Sequence, residues 1–428
     1  MNHSKGTTHD VIVFGGGAAG VPAAVQAARA GAQTLLVEKT GLLGGTATSA
    51  GVNFPGLFHA WGRQVIAGIG WEIVCKAVHE SGGTMPDFTR PTPHQSLHQV
   101  RVDLGVYAAL CDDAVLESGA ELLLHAMPGA VQRQGSCWQV TLCTKSGLET
   151  VTAKELVDCT GDANVVYLAG GELVYPEPFQ PATLVVQAAG YDPQALDIDT
   201  INRAYEEYVA EGLLEYTDAG WKVAQANVGH WLLARGSNAN HIPRLRAHDS
   251  RSKTALELAG RQSLLRLFRF LHTQPGLENL RIDYLAAETG VRESVVIRGR
   301  VTITESDYTS GRLWDDALCY SFYPIDLHTN EGDGLDLRPL PQGVVPTIPR
   351  ASLQPVNLTH ILAAGRCISS DRAANSALRV QASCMAMGQA AGALAALAAR
   401  YAVEPGDVSL EEVHTLLRKN GAIVPGKI

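Results

Sequence analysis

The 428-residue chain is poor in sulfur chemistry. Its eight cysteines (Cys75, Cys111, Cys137, Cys143, Cys159, Cys319, Cys367 and Cys384) include no Cys-x-x-Cys pair and no metal-ligand spacing. Dithiol exchange and a structural metal site are thereby excluded, and a reduced, cytoplasmic setting is the simplest expectation. Charge of one sign is also scarce: 34 basic residues stand unclustered against 43 acidic ones. No phosphate-neutralising patch is present, so no nucleic-acid partner is expected. The first ten residues, Met-Asn-His-Ser-Lys-Gly-Thr-Thr-His-Asp, lack the apolar core of a signal peptide. A long apolar run occurs only at residues 380–399, with Gly388 and Gly392 in Gly-x-x-x-Gly spacing. Gln381, Ser383 and Gln389 fall inside it, and alanine gains little from lipid, so a close-packed buried helix is expected rather than a membrane span.

What the chain does contain is concentrated at residues 10–38. Asp10-Val-Ile-Val-Phe14 reads as a strand buried on both faces. Gly15-Gly-Gly17-Ala18-Ala19-Gly20 follows, then a small-residue segment to Ala30, Gly31, and Thr34-Leu-Leu-Val-Glu38. This is a complete dinucleotide-binding βαβ unit. Gly15 suits the tight turn, Gly17 a close approach of backbone to pyrophosphate, and Gly20 the packing of helix on sheet. The phosphates would sit on free N–H groups at the helix N-terminus, and Glu38 is placed to accept the ribose hydroxyls. Gly31 fits the left-handed position past the helix end.

The length implies roughly two to three domains. After Glu38, Lys39 leads into the loop Gly41-Leu-Leu-Gly44-Gly45-Thr46, which is too rich in glycine to pack alone and able to lie flat on a ligand. Residues 62–82 read as a helix, as does the stretch from 103 to about 118. A strand at 121–125 precedes an antiparallel meander at 129–133, 137–144 and 149–153. A separate strand, 155–159, closes on Thr160-Gly161-Asp162, where the chain can meet the dinucleotide again. Longer polar helices, at 200–214 and 251–272, mark an inserted unit without a second Gly-x-Gly-x-x-Gly. The last unit begins at residue 358 and runs through Ala363-Ala-Gly365-Arg366 into the Ala-rich helix, as if returning to complete the first sheet. The expected division is residues 1–170 and 336–428 for the nucleotide domain and 171–335 for the insertion.

With these motifs in this order, the chain resembles the two-dinucleotide-binding-motif flavoproteins of the glutathione reductase type. More narrowly, it is similar to the FAD-dependent oxidoreductase family whose members carry Arg-Glu-Ser, Tyr-Pro-Ile-Asp-x-His and Ala-Gly-Arg-Cys-Ile-Ser segments. Here these are Arg292-Glu293-Ser294, Tyr323-Pro-Ile-Asp326-Leu-His328 and Ala364-Gly365-Arg366-Cys-Ile-Ser369. The resemblance implies a doubly wound α/β FAD-binding domain, Rossmann-like, with a β-meander and an inserted α+β substrate domain. It implies FAD as cofactor, Glu38 on the adenosine ribose, and Gly44-Gly45-Thr46 along the pyrophosphate. Gly365-Arg366 would lie near the ribityl chain, and the helix after Arg379 would aim its N-terminus at the flavin pyrimidine.

Flavin oxidation moves a hydride while a base takes a proton, and the reverse needs an acid. His328, after a Pro-fixed turn and before the Gly332–Gly334 loop, is the leading candidate, with a structural histidine as the alternative. Arg292 could clamp a carboxylate or form an internal salt bridge with Glu293. His59, in Phe54-Pro-Gly-Leu-Phe58-His59-Ala-Trp61, could face the flavin or even carry it covalently. His94, His98 and Arg101 suit capping or solvent. Arg366 and Arg379 are expected to serve the cofactor, and Cys367 and Cys384 to be small core residues. The expected reaction is two-electron dehydrogenation, or reduction, of a small polar organic substrate, with an undetermined electron partner. A flavin monooxygenase, or a non-catalytic flavin-binding or electron-relay subunit, is the alternative. No membrane partner is expected, and a homodimer is the default assembly.

Overall fold

The computed structural model describes residues 8–89, 95–221, 227–329 and 334–426; His94 and Gly332 lie outside the described residues. The βαβ unit forms as its pattern requires: β1 (Thr8–Phe14), α1 (Gly20–Arg29) and β2 (Thr34–Glu38), with β1 and β2 parallel. Residues 11–14 of β1 are fully buried. Their alternation puts Val11 and Val13 in the core shared with α1 and Ile12 and Phe14 in a second core on the opposite face.

Two helices, α2 (Ile69–Glu80) and α3 (Leu104–Glu117), precede β3 (Glu121–Leu124). The expected helix over 62–82 is shorter than its apolar pattern suggested. Its first residues instead make a two-residue pairing of His59–Ala60 with Arg63–Gln64. The meander comprises β4 (Met127–Gln134), β5 (Cys137–Thr144) and β6 (Gly147–Asp158).

The strands expected separately at 149–153 and 155–159 are one continuous strand, β6. Its first half pairs antiparallel with β5, from Thr144↔Gly147 to Trp138↔Ala153. Its second half pairs parallel with β1, ending at Phe14↔Asp158. Where β5 runs out, a late strand takes its place: β12 (Ile361–Ala363) pairs parallel with residues 156–158. One strand therefore fuses meander and parallel sheet, and β1, β2, β6 and β12 end together at Phe14, Glu38, Asp158 and Ala363. Ligands of open α/β sheets bind beyond such carboxyl ends.

The inserted unit has its own core, from Leu184 to Ala286. It contains β7 (Val186–Ala189), β8 (Gly236–Ser237) and β9 (Arg281–Leu285), paired in the order β8-β7-β9, with helices α4 (Ile198–Ala210) and α5 (Ser250–Leu271). The expected boundary at 335 is later than the packing places it: Ile303, Leu318, Phe322 and Ile325 already belong to the main core. Residues 325–328 form β10, paired antiparallel with β11 (Leu335–Arg338).

After β12 come α6 (Arg372–Leu378), α7 (Gln381–Tyr401) and α8 (Leu410–Lys419). Helix α7 is long and apolar enough to cross a membrane by composition, yet 94% of its apolar window is buried inside the protein. Its glycines explain why. A Cβ on Gly388 would stand 2.0 Å from the Ala19 carbonyl oxygen, and one on Gly392 2.1 Å from that of Ala23. The Gly-x-x-x-Gly spacing is a backbone-to-backbone seat for α1.

Candidate active site

A cleft runs along the carboxyl ends of the strands, between the nucleotide domain and the inserted unit, with a cavity volume of about 300 Å³. One end is built from the glycine turn. Gly15 has φ +92°, and a Cβ on Gly20 would lie 1.7 Å from the Gly15 carbonyl oxygen, so both glycines are demanded by the fold. Gly17 is different. A Cβ there meets nothing nearer than the Gly45 Cα at 3.7 Å; its freedom serves the cleft that it lines. Ala18 and Ala19 line the cleft beside it, at the start of α1, which has no side-chain cap.

Glu38 is nearly buried at the end of β2. Its Oε2 accepts from the Gly16 N–H at 2.6 Å, while Oε1 accepts from the Thr40 N–H and hydroxyl at 2.8 and 2.9 Å. The carboxylate thus organises the glycine turn and keeps acceptor capacity toward the cleft. Gly44 donates to the Gly16 carbonyl at 2.8 Å, lacing the second glycine loop to the first. Gly45 and Thr46 line the cleft, whereas Gly44 and Gly20 act from behind it. Lys39 also lines it, paired with Glu288 of the inserted segment at 3.1 Å.

The second contact forms at the end of β6. Asp158, fully buried, accepts from the Thr160 N–H and hydroxyl and from the Val165 and Val166 N–H groups. This fixes the Thr160-Gly161-Asp162 turn against the cleft. Asp162 accepts from Arg366 and from Ser294, each at 2.6 Å. Although burial works the other way, Arg366 and Ser294 hold the Asp162 carboxyl below the usual carboxylate value. Arg366 was expected to serve the cofactor with its charge; Asp162 answers that charge, and the pair forms a neutral wall beside the Gly365 turn.

At the inner end, Val380, Gln381 and Cys384 bring the uncapped N-terminus of α7 to the cleft. Gln381 donates to the Val52 carbonyl at 2.7 Å, and its Oε1 is buried without a partner. Arg379 was also expected with the cofactor, but its guanidinium lies against Asp326 (Oδ2 at 3.4 Å) and Gln180 (Oε1 at 3.4 Å). Asp326 Oδ1 faces His328 Nε2 at 3.4 Å, and His328 Nδ1 is buried with no hydrogen-bond partner. Burial, and then the Arg292 charge, push the His328 imidazole down to about 4. Against burial, His328 and Arg379 hold Asp326 at about 2. At neutral pH the pair is therefore a carboxylate beside a neutral imidazole.

Arg292 is buried and donates from Nη1 to the Pro181 carbonyl at 2.9 Å and the Thr183 hydroxyl at 2.7 Å. The alternative of an Arg292–Glu293 salt bridge is not what the chain does: Glu293 turns to Arg372 at 3.4 Å and to the Gln180 N–H at 2.8 Å. Among the described residues no carboxylate lies within ion-pair distance of Arg292.

His59 does not reach the cleft. Its ring stacks on Phe88 at 3.7 Å, edge-on to Trp71, because aromatic partners from α2 and the following loop capture it. Its expected place at the flavin is thereby corrected. His98 joins the same cluster, and Arg101 lies over Phe54, itself a cleft residue. Sequence reasoning missed His241 and Asn238. His241 packs on His328 at 4.8 Å between ring centroids, with Trp221 stacked on it; burial, then Arg292, hold it neutral. Asn238 lines the cleft with its Oδ1 buried and unpartnered. Their only sequence signal was a small and polar run, Gly236-Ser-Asn-Ala-Asn-His241, which reads as an ordinary loop.

These features match an extended dinucleotide: an open glycine turn and an acid at one end, an uncapped helix with an orphaned amide oxygen at the other. Of the comparisons with known proteins, the family model bears on the cofactor. No curated protein matches the sequence. Among solved structures, the chain is 13% identical to a geranylgeranyl bacteriochlorophyll reductase-like protein of Thermoplasma acidophilum, covering 96% of this chain and 83% of that one, with a TM-score of 0.44. It is 14% identical to an anhydrotetracycline hydroxylase of Streptomyces rimosus, covering 97% of this chain and 66% of that one, TM-score 0.44. It is 10% identical to a p-nitrophenol 4-monooxygenase of Pseudomonas putida DLL-E4, covering 96% and 84%, TM-score 0.39. Likeness this distant leaves the reaction to be argued from the site. The family model described as FAD dependent oxidoreductase matches residues 10–417. Nearly the whole chain, including every element that walls the cleft, falls within that match, and the protein belongs to the FAD-dependent oxidoreductase family, with FAD as its cofactor.

Proposed function

We propose that this protein catalyses a two-electron dehydrogenation, or the reverse reduction, of a small polar organic molecule at the inner end of the cleft. The observation that carries this reading is the convergence there of Asp326, His328 and Arg292, at the end opposite Glu38. The fold assignment to the glutathione reductase type is part of the same reading. It is supported by the two strand-end turns, Thr160–Asp162 and Gly365–Arg366, that meet the cleft.

FAD, when bound, supplies the hydride acceptor or donor. The protein's own groups handle the proton and the substrate. A neutral His328 that keeps its proton on Nε2, toward Asp326, leaves Nδ1 as the proton acceptor. The imidazolium formed is stabilised by the Asp326 carboxylate at 3.4 Å. Arg292 orients the substrate through the guanidinium edge not used by Pro181 and Thr183. The rings of His241 and Trp221 pack edge-on against His328 and shield its ring from water.

Anaerobic mixing of the holoenzyme with candidate substrates tests the reading. A substrate should bleach the oxidised flavin band, and His328→Asn should keep the yellow colour while slowing bleaching by ~100-fold or more. A rate within a few-fold of wild type removes His328 from the mechanism. Flavin that stays oxidised with every compound indicates a passive binder. Oxygen uptake coupled to NAD(P)H oxidation with a hydroxylated product indicates a monooxygenase.

A further inference from the structure

Among the described residues, the inner end of the cleft carries more positive than negative charge: two guanidiniums, Arg292 and Arg379, stand there against one carboxylate, Asp326. The neighbouring ions are already matched elsewhere: Arg366 by Asp162, and Arg372 with Glu293. Neither guanidinium of the pair is well satisfied. Among the described residues, Arg292 is bonded only to neutral oxygens. The contacts of Arg379 with Asp326 and Gln180 are all at 3.3 to 3.4 Å, the long limit of hydrogen bonding, and its Nε is buried with no partner. Buried cations in excess of their counter-ions are costly, and an arriving anion removes that cost. The guanidinium fork matches one anion type best, a carboxylate, through paired N–H donors.

We infer that the substrate is a carboxylic acid whose carboxylate is held jointly by Arg292 and Arg379, in competition with Asp326. The inference deepens the proposed function and rests on its reading of the inner end as the substrate site. Its sharpest consequence concerns Asp326, which opposes binding of the anion while it assists His328. Removing the Asp326 charge should therefore tighten carboxylate binding and slow turnover at once.

The test follows the visible spectrum of the oxidised holoenzyme during titration with acetate, propionate, benzoate and succinate, and with propionamide and benzamide as uncharged matches. At least one carboxylate should perturb the flavin band saturably, and its amide should not do so at the same concentration. Arg292→Lys and Arg379→Lys, which keep the charge but lose the fork, should raise the dissociation constant of that carboxylate by ~10-fold or more with FAD content unchanged. Asp326→Asn should lower it several-fold. Acid and amide acting alike, or no carboxylate acting at all, overturns the inference. So does loss of FAD from the Lys variants with carboxylate binding unaltered, which would assign the two arginines to the cofactor. The two readings fail separately. Bleaching by a neutral alcohol or amine, without carboxylate binding, sinks the anion site and leaves the oxidoreductase. Carboxylate binding with no reduction by any compound does the reverse.

Discussion

Gly17 and Gly20 sit three residues apart in one turn, yet the structure gives them separate duties. At Gly20 the next atom is the protein's own carbonyl, 1.7 Å from where a Cβ would go; at Gly17 the space belongs to the ligand. Gly20→Ala should therefore destabilise the protein whether or not FAD is present. Gly17→Ala should leave the melting temperature of the FAD-free protein within a degree or two, ~0.5 kcal/mol, while weakening FAD binding by ~10-fold or more. Equal losses from both substitutions, read by calorimetry and flavin titration, would refute this division. At the same scale, the nucleotide-binding residues were legible because the pattern is local: turn, acid and loop lie within residues 15–46. His59 was not, because the partner that captures it, Phe88, is distant in sequence and no periodicity announces a stacked ring. Arg292 was found by its motif, but its freedom from Glu293 depends on Arg372, which arrives from α6.

Among elements, α7 carries the most. Its glycines seat α1, and Gln389 on the same helix accepts from the Ile69 N–H at the start of α2 and donates to Gln26 of α1. Gly388→Ala forces α1 and α7 apart at Ala19, beside the cleft, and should cost roughly 1–3 kcal/mol or more with loss of bound flavin. Retained flavin and an unchanged melting temperature would contradict the backbone seat. The burial of α7 was readable from its composition; the continuity of β6 was not, since the strand changes partners midway and its alternation changes with them. That strand also holds a titrating clamp. His360, just before β12, bonds Glu155 at 2.6 Å and Glu404 at 3.0 Å. Burial raises the Glu155 carboxyl to about 7, and the bond to Glu155 raises His360 above its usual 6.5. Both groups hold protons more tightly in the fold than in the unfolded chain. Their stabilisation is complete below the ordinary carboxylate value and is lost as pH rises through about 7. The melting temperature should fall as pH rises from about 4.5 to about 7, and Glu155→Gln should flatten that slope; a profile as steep in the variant would assign the effect elsewhere.

At the scale of the whole molecule, the cleft is walled by the first strand pair, the end of β6, the inserted unit and the last third of the chain. A ligand that touches all four should raise the melting temperature of the whole protein rather than of one part. With FAD at 100 times its dissociation constant the gain is about 2.7 kcal/mol, and the transition should stay single in calorimetry. A first transition insensitive to FAD would show that some wall does not take part. Because Gly365, Arg366 and the start of α7 complete the flavin end, the nascent polypeptide must grow past these residues before its prosthetic group has a home. Flavin capture therefore waits on their synthesis, and ribosome-stalled chains that stop short of residue 380 should emerge colourless.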